Sequence, residues 1–440
     1  MAGVATLHPK KAARPGKRSS TLVQDGIIQP KEEVSGIGDQ SDTAVVHQGV
    51  RRVIDLHISI EILIVFLVSV LVCGAILATR RHHLKFVVRR ADLGAIQAAH
   101  RQPTPRIGGL ALLVALLPMG FVIQPELAPR FGLFMLSLGP VFIAGFLEDL
   151  GWPVSPRMRL LAAVFSSLIC VGLLGVWLPR VDVPGLDTLV QWVPFAILLT
   201  LFATAGICNG FNLIDGMNGL AAGVGAIAAL AMAAVAARGG AQVMVDLNLL
   251  LTAALLGFLC FNFPKGRLFL GDAGAYSLGH ILAWFAIALM HRVPDLTPWA
   301  LVLIFFWPIA DTFLAIYRRR RGGRSATKPD RLHFHQLVMR AIEITMTGRS
   351  ARHITNPLST LILLPMAATP AIAGVWLWDR PLAAFLAFVG FAALFVGTYL
   401  LGIRLASQWR RRFLCPDASV LDQSPLMNLA PVRAADRPPR

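Results

Sequence analysis

Three polar side chains stand three residues apart in the stretch FNLIDGMNGLAAG, residues 211–223 of an otherwise apolar chain. They are Asn212, Asp215 and Asn218. Carboxylate and amide oxygens suit a hard cation such as Mg²⁺, which also keeps waters and phosphates as ligands. The same side chains could instead cap the following helix, because Asp and Asn accept hydrogen bonds from first-turn amides. The stretch alone leaves both interpretations open.

Four further polar clusters are separated by apolar sequence. They are HRQPTPRIGGL (100–110), GFLEDL (145–150), FNFPKGRLFLGDAGAYSLG (261–279) and KPDRLHFHQL (328–337). Three of them have an ordinary structural interpretation: Glu148 and Asp149 could end a helix, Asp272 could cap one, and His333 and His335 could be solvated. Their meaning therefore depends on whether the fold brings them together.

The elements that carry these clusters are predicted to be membrane helices. The 440 residues are 55% hydrophobic and only 15% charged, with a mean hydropathy of +0.64. Continuous apolar runs of about 18 residues favour transmembrane helices, and a bilayer excludes open strands. We therefore predict an all-α, polytopic integral membrane protein with about eleven transmembrane helices. The predicted helices are 58–78, 108–123, 131–147, 159–178, 189–208, 219–237, 247–262, 273–290, 298–317, 357–377 and 382–403.

Charge sets the predicted orientation and domain limits. The net charge of +17 indicates the positive-inside pattern rather than nucleic-acid binding, because basic residues concentrate in the tails and in alternate loops. The odd-numbered loops are therefore expected in the cytoplasm; the basic N-terminal tail disagrees, but short loops are stronger evidence. Residues 1–55 are predicted to be a disordered polar extension, 56–405 the membrane domain and 406–440 a basic, disordered cytoplasmic tail. The five cysteines show no paired spacing, which argues against a disulfide framework or a zinc site.

This topology places all five polar clusters on one face of the membrane. Carboxylates at a bilayer are costly and usually functional. The glycines Gly216, Gly219, Gly271 and Gly274 would allow close approach of a bulky anion, and two helix N-termini would favour phosphate. A metal, a phosphate cradle and a lipid-facing groove together predict phosphoryl transfer to or from a lipid.

The motifs TPRIGG, GFLEDL, NGFNLIDGMNGLAAG, FLGDAGAYSLG and PDRLHFHQL, in this order, resemble the polyprenyl-phosphate N-acetylhexosamine-1-phosphate transferase family. The resemblance spans roughly residues 101–337. It implies Mg²⁺-dependent transfer (Mn²⁺ could substitute) of a HexNAc-1-phosphate from a UDP-sugar to undecaprenyl phosphate, with release of UMP. It also implies a multi-pass protein of the bacterial inner membrane with its active site on the cytoplasmic side. Membrane lipids and a homodimer are further expected partners, and the product would initiate cell-surface polysaccharide such as O-antigen, capsule or exopolysaccharide.

The resemblance implies a role for each matching residue. Asp149 would activate the acceptor phosphate as base or nucleophile, with Glu148 beside it, and Asp215 would lie by the sugar diphosphate. Asp272 and Asn212 would hold the metal. The implied substrate-binding residues are Asn218, Asn262, Phe269, Arg331, His333 and His335.

Three positions depart from the family pattern. Glu148 and Asn218 replace the usual aspartates, and Gln336 stands where paired histidines often end the motif. If the protein is an enzyme, the alternative function is that of the phospho-N-acetylmuramoyl-pentapeptide transferase. If it is not an enzyme, the alternative is a transporter, although the chain shows no internal repeat.

Overall fold

The computed structural model describes residues 60–81, 104–122, 125–321, 333–348 and 351–414. Within these ranges the secondary structure is helical throughout, which confirms the predicted all-α class. The predicted boundary at residue 55 lies outside the described residues. The last helix continues to Leu414, past the predicted boundary at 405.

Sixteen α-helices are described here, and one π-helical turn, Glu343–Thr347, follows the fourteenth. They are α1 Ile60–Ala78, α2 Gly108–Leu116, α3 Met119–Val122, α4 Ala128–Ser137, α5 Gly139–Asp149, α6 Pro156–Leu174, α7 Leu186–Val190, α8 Val193–Ile214, α9 Leu220–Arg238, α10 Gln242–Asn262, α11 Gly271–Arg292, α12 Pro298–Ile304, α13 Phe306–Arg321, α14 Phe334–Ile342, α15 Arg352–Trp376 and α16 Pro381–Leu414.

Eight of these helices are long and apolar enough to cross a membrane, or ten spans if two bent pairs are counted, among the residues described. The bent pairs are α4 with α5, at 42°, and α12 with α13, at 79°. Pro140, in the first turn of α5, lacks the N–H that would continue α4, which accounts for the first bend. The predicted span 108–123 is divided into α2 and α3, so the predicted eleven spans become ten.

Helix α11 forms the centre of the bundle, and small residues allow other helices to approach it closely. A Cβ added at Gly109 would lie 2.5 Å from Gly274 Cα, and one at Gly145 would lie 2.5 Å from Ala273 Cα. At Gly279 an added Cβ would lie 2.5 Å from Cys208 Cα on α8. Small residues at helix contacts are typical of membrane bundles, because packing there depends on close backbone approach.

The connections between helices gather at two opposite ends. At one end, Arg180 donates to Leu296 O (2.6 Å), Trp299 Nε1 to Asp182 O (3.2 Å) and Thr297 N to Trp378 O (2.8 Å). The other end holds the last residues of α5, α8 and α10 and the first residues of α11 and α14. The described parts of the polar clusters thus share one end, as the loop pattern predicted.

Candidate active site

Asp149, the last residue of α5, caps the start of α11. Its Oδ1 accepts from the backbone N–H of Asp272 and its Oδ2 from that of Ala273, both at 2.9 Å. The side chain is buried, and Gly271 is required beside it, with φ +75° and no room for a Cβ. These amides at the helix N-terminus already have a carboxylate partner. The predicted phosphate cradle at the start of α11 is therefore wrong in this detail.

Asp272 joins three helices at the site. Its Oδ1 accepts from Asn212 Nδ2, near the end of α8, at 3.1 Å. Its Oδ2 forms an ion pair with Arg159 of α6. The structure thus brings together the two predicted metal ligands, Asp272 and Asn212. It adds Arg159, which sequence reasoning placed only among the loop charges.

Asp215 follows α8 and lies beside the same group. Burial raises the pKa of its carboxyl to about 7, although nearby Arg106 and the backbone N–H of Gly271 act in the opposite direction. Its side chain is directed at the start of α11 rather than at α9, so the helix-cap interpretation fails for this residue. A nearby cation would favour the charged form.

Glu148 has a local structural contact. Its Oε2 accepts from Val154 N at 2.7 Å and so holds the connection between α5 and α6. The side chain is half-buried. The interpretation of Glu148 as a helix-end residue accounts for this contact, and its predicted catalytic role stays a prediction.

Asn218 and Asn262 stabilise the two loops that border the site. Asn218 Nδ2 donates to Pro264 O at 2.8 Å. Asn262 accepts from Gly219 N at 2.5 Å and donates to Leu268 O at 2.7 Å. Both side chains are buried and hydrogen-bonded to the backbone. This is a structural role, which the sequence analysis did not predict for them.

The two amides just before α9 have protein partners. The backbone N–H of Asn218 donates to Asn356 Oδ1 at 2.9 Å, and that of Gly219 to Asn262. Helix α9 itself begins at Leu220, so the predicted binding of phosphate at its N-terminus stays a prediction.

Phe269 is anchored through its backbone. Its N–H donates to Pro105 O, and its carbonyl accepts from Gly108 N, both at 2.9 Å. The ring is half-buried. This pairing holds the segment before α11 against the TPRIGG motif, and the predicted stacking on a base stays a prediction.

His333 and His335 converge on a carboxylate that sequence reasoning missed. His333 Nδ1 lies 3.1 Å and His335 Nδ1 3.5 Å from Asp311 Oδ2. Both rings are buried, so they reach this carboxylate rather than open solvent. Asp311 lies inside the predicted span 298–317, and a carboxylate within an apolar span is the signal that should have singled it out. The predicted Arg331 lies outside the described residues.

The donor set at Asp272 is compatible with Mg²⁺. Among the described residues no three His, Cys, Asp or Glu side chains form a metal cluster. Mg²⁺ does not need one, since it is usually held by one or two carboxylates together with waters and substrate phosphates. Asp272 supplies a carboxylate, the side-chain amide of Asn212 lies against it and also carries an oxygen, and Asp215 is a further carboxylate nearby.

Asn262 offers a test of its structural role. Asn262→Ala would leave Gly219 N–H and Leu268 C=O without their partner, a loss of about 1–3 kcal/mol for each buried group left unpaired. We expect a lower unfolding temperature in detergent, with Cys260→Ala, an exposed position on the same helix, as the matched control. A stable Asn262→Ala protein with a raised KM for a nucleotide sugar would instead favour direct substrate contact.

Comparison with known proteins agrees with the motifs. The model of the family "Glycosyl transferase family 4" matches residues 131–290, which include Asp149, Asn212, Asp215 and Asp272. The decaprenyl-phosphate N-acetylglucosaminephosphotransferase of Mycobacterium tuberculosis is 31% identical over 269 residues, covering 54% of this chain and 66% of that protein. The enzyme of the same name from Mycobacterium leprae is 30% identical, covering 54% of this chain and 67% of that protein.

A relative from another group of bacteria matches more of the chain. The probable undecaprenyl-phosphate N-acetylglucosaminyl 1-phosphate transferase of Bacillus subtilis is 28% identical, covering 64% of this chain and 78% of that protein. The chain spans about two thirds of the length of the mycobacterial relatives. The chain therefore belongs to glycosyl transferase family 4, among the polyprenyl-phosphate N-acetylhexosamine-1-phosphate transferases.

Proposed function

We propose that this protein transfers a HexNAc-1-phosphate from a UDP-sugar to undecaprenyl phosphate and releases UMP. The single observation that carries the proposal is the convergence of Asp149, Asp215 and Asp272 at one end of a membrane bundle, beside Arg106 and Arg159. Phosphoryl transfer depends on positioning and on stabilising negative charge, which this group of residues can supply. The activities for which the relatives are named support the same substrate classes.

The reaction is a displacement at phosphorus. An oxygen of the acceptor phosphate forms a bond to the β-phosphorus of the UDP-sugar, and the bond from that phosphorus to the bridging oxygen breaks, which releases UMP. Arg106 and Arg159 would bind phosphate oxygens. Asp215 would face the sugar diphosphate and Phe269 the uracil ring.

Asp272 and Asn212 would hold Mg²⁺. When bound, the ion would neutralise charge on the diphosphate. Asp149 would accept the proton of the acceptor phosphate, or act as nucleophile, while keeping the first turn of α11 in place.

Transfer itself can be tested with the purified chain in detergent. We expect radiolabel from UDP-N-acetylglucosamine, or from a related UDP-N-acetyl sugar, to enter an undecaprenyl-linked product with release of UMP. Product with UDP-N-acetylmuramoyl-pentapeptide alone would move the protein to the peptidoglycan branch. No product with any donor would reject the proposal.

We further propose that the site faces the cytoplasm of a bacterial inner membrane. Nucleotide sugars are found there, and the basic loops lie at that end. In a variant without native cysteines, we expect an impermeant thiol reagent to label Asp295→Cys on intact spheroplasts and Lys265→Cys only after lysis. Both positions are exposed, at opposite ends of the bundle. The reverse pattern would refute the orientation.

A further inference from the structure

Asp311 is a carboxylate enclosed within the bundle. It lies on α13, after the 79° bend from α12, and has no exposed surface. An unpaired charge in such a place is costly, so a carboxylate there requires specific partners.

The partners of Asp311 among the described residues come from the segment that begins α14. Oδ1 accepts from the backbone N–H of Phe334 at 3.0 Å, and Oδ2 lies 3.1 Å from His333 Nδ1. His335 Nδ1 lies 3.5 Å from the same oxygen. The two imidazole rings are stacked with centroids 5.6 Å apart. A single carboxylate thus fixes the position of both histidines.

Docking of α14 does not depend on this carboxylate alone. The ring of Phe334 contacts Trp307 edge-on at 5.2 Å between centroids and stacks on Phe395 at 4.8 Å. Apolar packing of this kind avoids the desolvation cost of a buried charge. The presence of Asp311 is therefore better explained by orientation of the histidines than by attachment of the helix.

His335 connects this cluster to the active site. With Nδ1 directed at Asp311, Nε2 faces Gly216, where an added Cβ would lie 3.2 Å from it. Gly216 directly follows Asp215, the carboxylate assigned to the sugar diphosphate. His335 Nε2 has no hydrogen-bond partner among the described residues, and the ring is buried.

We propose that Asp311 is a positioning residue for the transfer reaction and acts through His335, which is stacked on His333, on the loop that carries Asp215. The inference rests on the proposed function. It names a residue outside the segment matched by the family model. Hydrogen-bond partners that orient functional side chains commonly change activity about 10- to 100-fold when replaced, as at metal sites.

A double-mutant cycle tests the route through His335. Asp311→Asn, His335→Ala and the combined variant are compared in the transfer assay, with unfolding temperatures measured in parallel. We expect Asp311→Asn to lower kcat/KM by about 10-fold or more, and to cause no further loss when His335 is already Ala. A merely structural carboxylate would lower the unfolding temperature equally in both backgrounds and leave the kinetics of folded protein unchanged. Additive losses in kcat/KM, or wild-type kinetics for Asp311→Asn, would overturn the inference.

A substitution at Gly216 gives a second test, which leaves the buried carboxylate of Asp311 intact. Gly216→Ala would press a methyl group on His335 Nε2, whereas Gly206→Ala on α8 meets no atom within 4 Å. We expect the first to lower kcat/KM and the second to be silent. A silent Gly216→Ala would also overturn the proposed route.

The proposed function and this inference can fail separately. Wild-type protein that transfers no sugar phosphate would reject both. An active wild type with additive losses in the double-mutant cycle would reject the inference alone.

Discussion

Asp272→Asn is expected to lower turnover by about 10²- to 10³-fold, the scale for loss of one preorganised electrostatic group. Asparagine keeps the size of the side chain and an oxygen that can accept from Asn212. It removes the negative charge that is paired with Arg159 and that a hard cation requires. Arg159 also loses its partner, so a lower unfolding temperature is expected beside the loss of turnover.

The measurement is transfer at increasing Mg²⁺ concentrations, together with the unfolding temperature. Asp295→Asn is the matched control, because it makes the same change at an exposed position at the opposite end of the bundle. Full activity of Asp272→Asn at saturating Mg²⁺ would contradict the assignment of Asp272 as a metal ligand.

Asp149→Asn is expected to abolish transfer and also to destabilise the protein. Both oxygens of Asp149 accept backbone N–H groups at the start of α11, at 2.9 Å. Asparagine offers one oxygen and places an NH₂ group against the second amide. One buried amide is then left unpaired, at a cost of about 1–3 kcal/mol. The first turn of α11 carries Asp272, so a shift there should also disturb the proposed metal site.

Binding measurements separate the capping role of Asp149 from a chemical one. If the cap dominates, Asp149→Asn should lower the unfolding temperature and weaken binding of the UDP-sugar, because Asp272 moves. If Asp149 acts only on the acceptor phosphate, donor binding and stability should match the wild type while turnover is lost. That second result would contradict the prediction that the two amide contacts of Asp149 stabilise the start of α11.

The sequence by itself determined the class of the fold and the end of the bundle where the site lies. Apolar runs of transmembrane length specify helices in a bilayer, because the backbone must satisfy its own hydrogen bonds there. Consecutive helices then run in alternate directions, so every second loop returns to the same end. This is why motifs as far apart as GFLEDL and FLGDAGAYSLG were correctly predicted to meet.

Only the tertiary structure decided what each polar group does within the site. The amides at the start of α11 looked available to a phosphate, but Asp149, 123 residues away, accepts from them. Asn262 was predicted to contact substrate, and the structure adds hydrogen bonds from its side chain to Gly219 N–H and Leu268 C=O that the sequence did not indicate. Local periodicity determines which face of a helix is apolar, whereas a carboxylate or an amide takes its role from the partner within about 3 Å. When that partner is distant along the chain, as Asp149 is from Asp272, only the packing of the helices brings the two segments together.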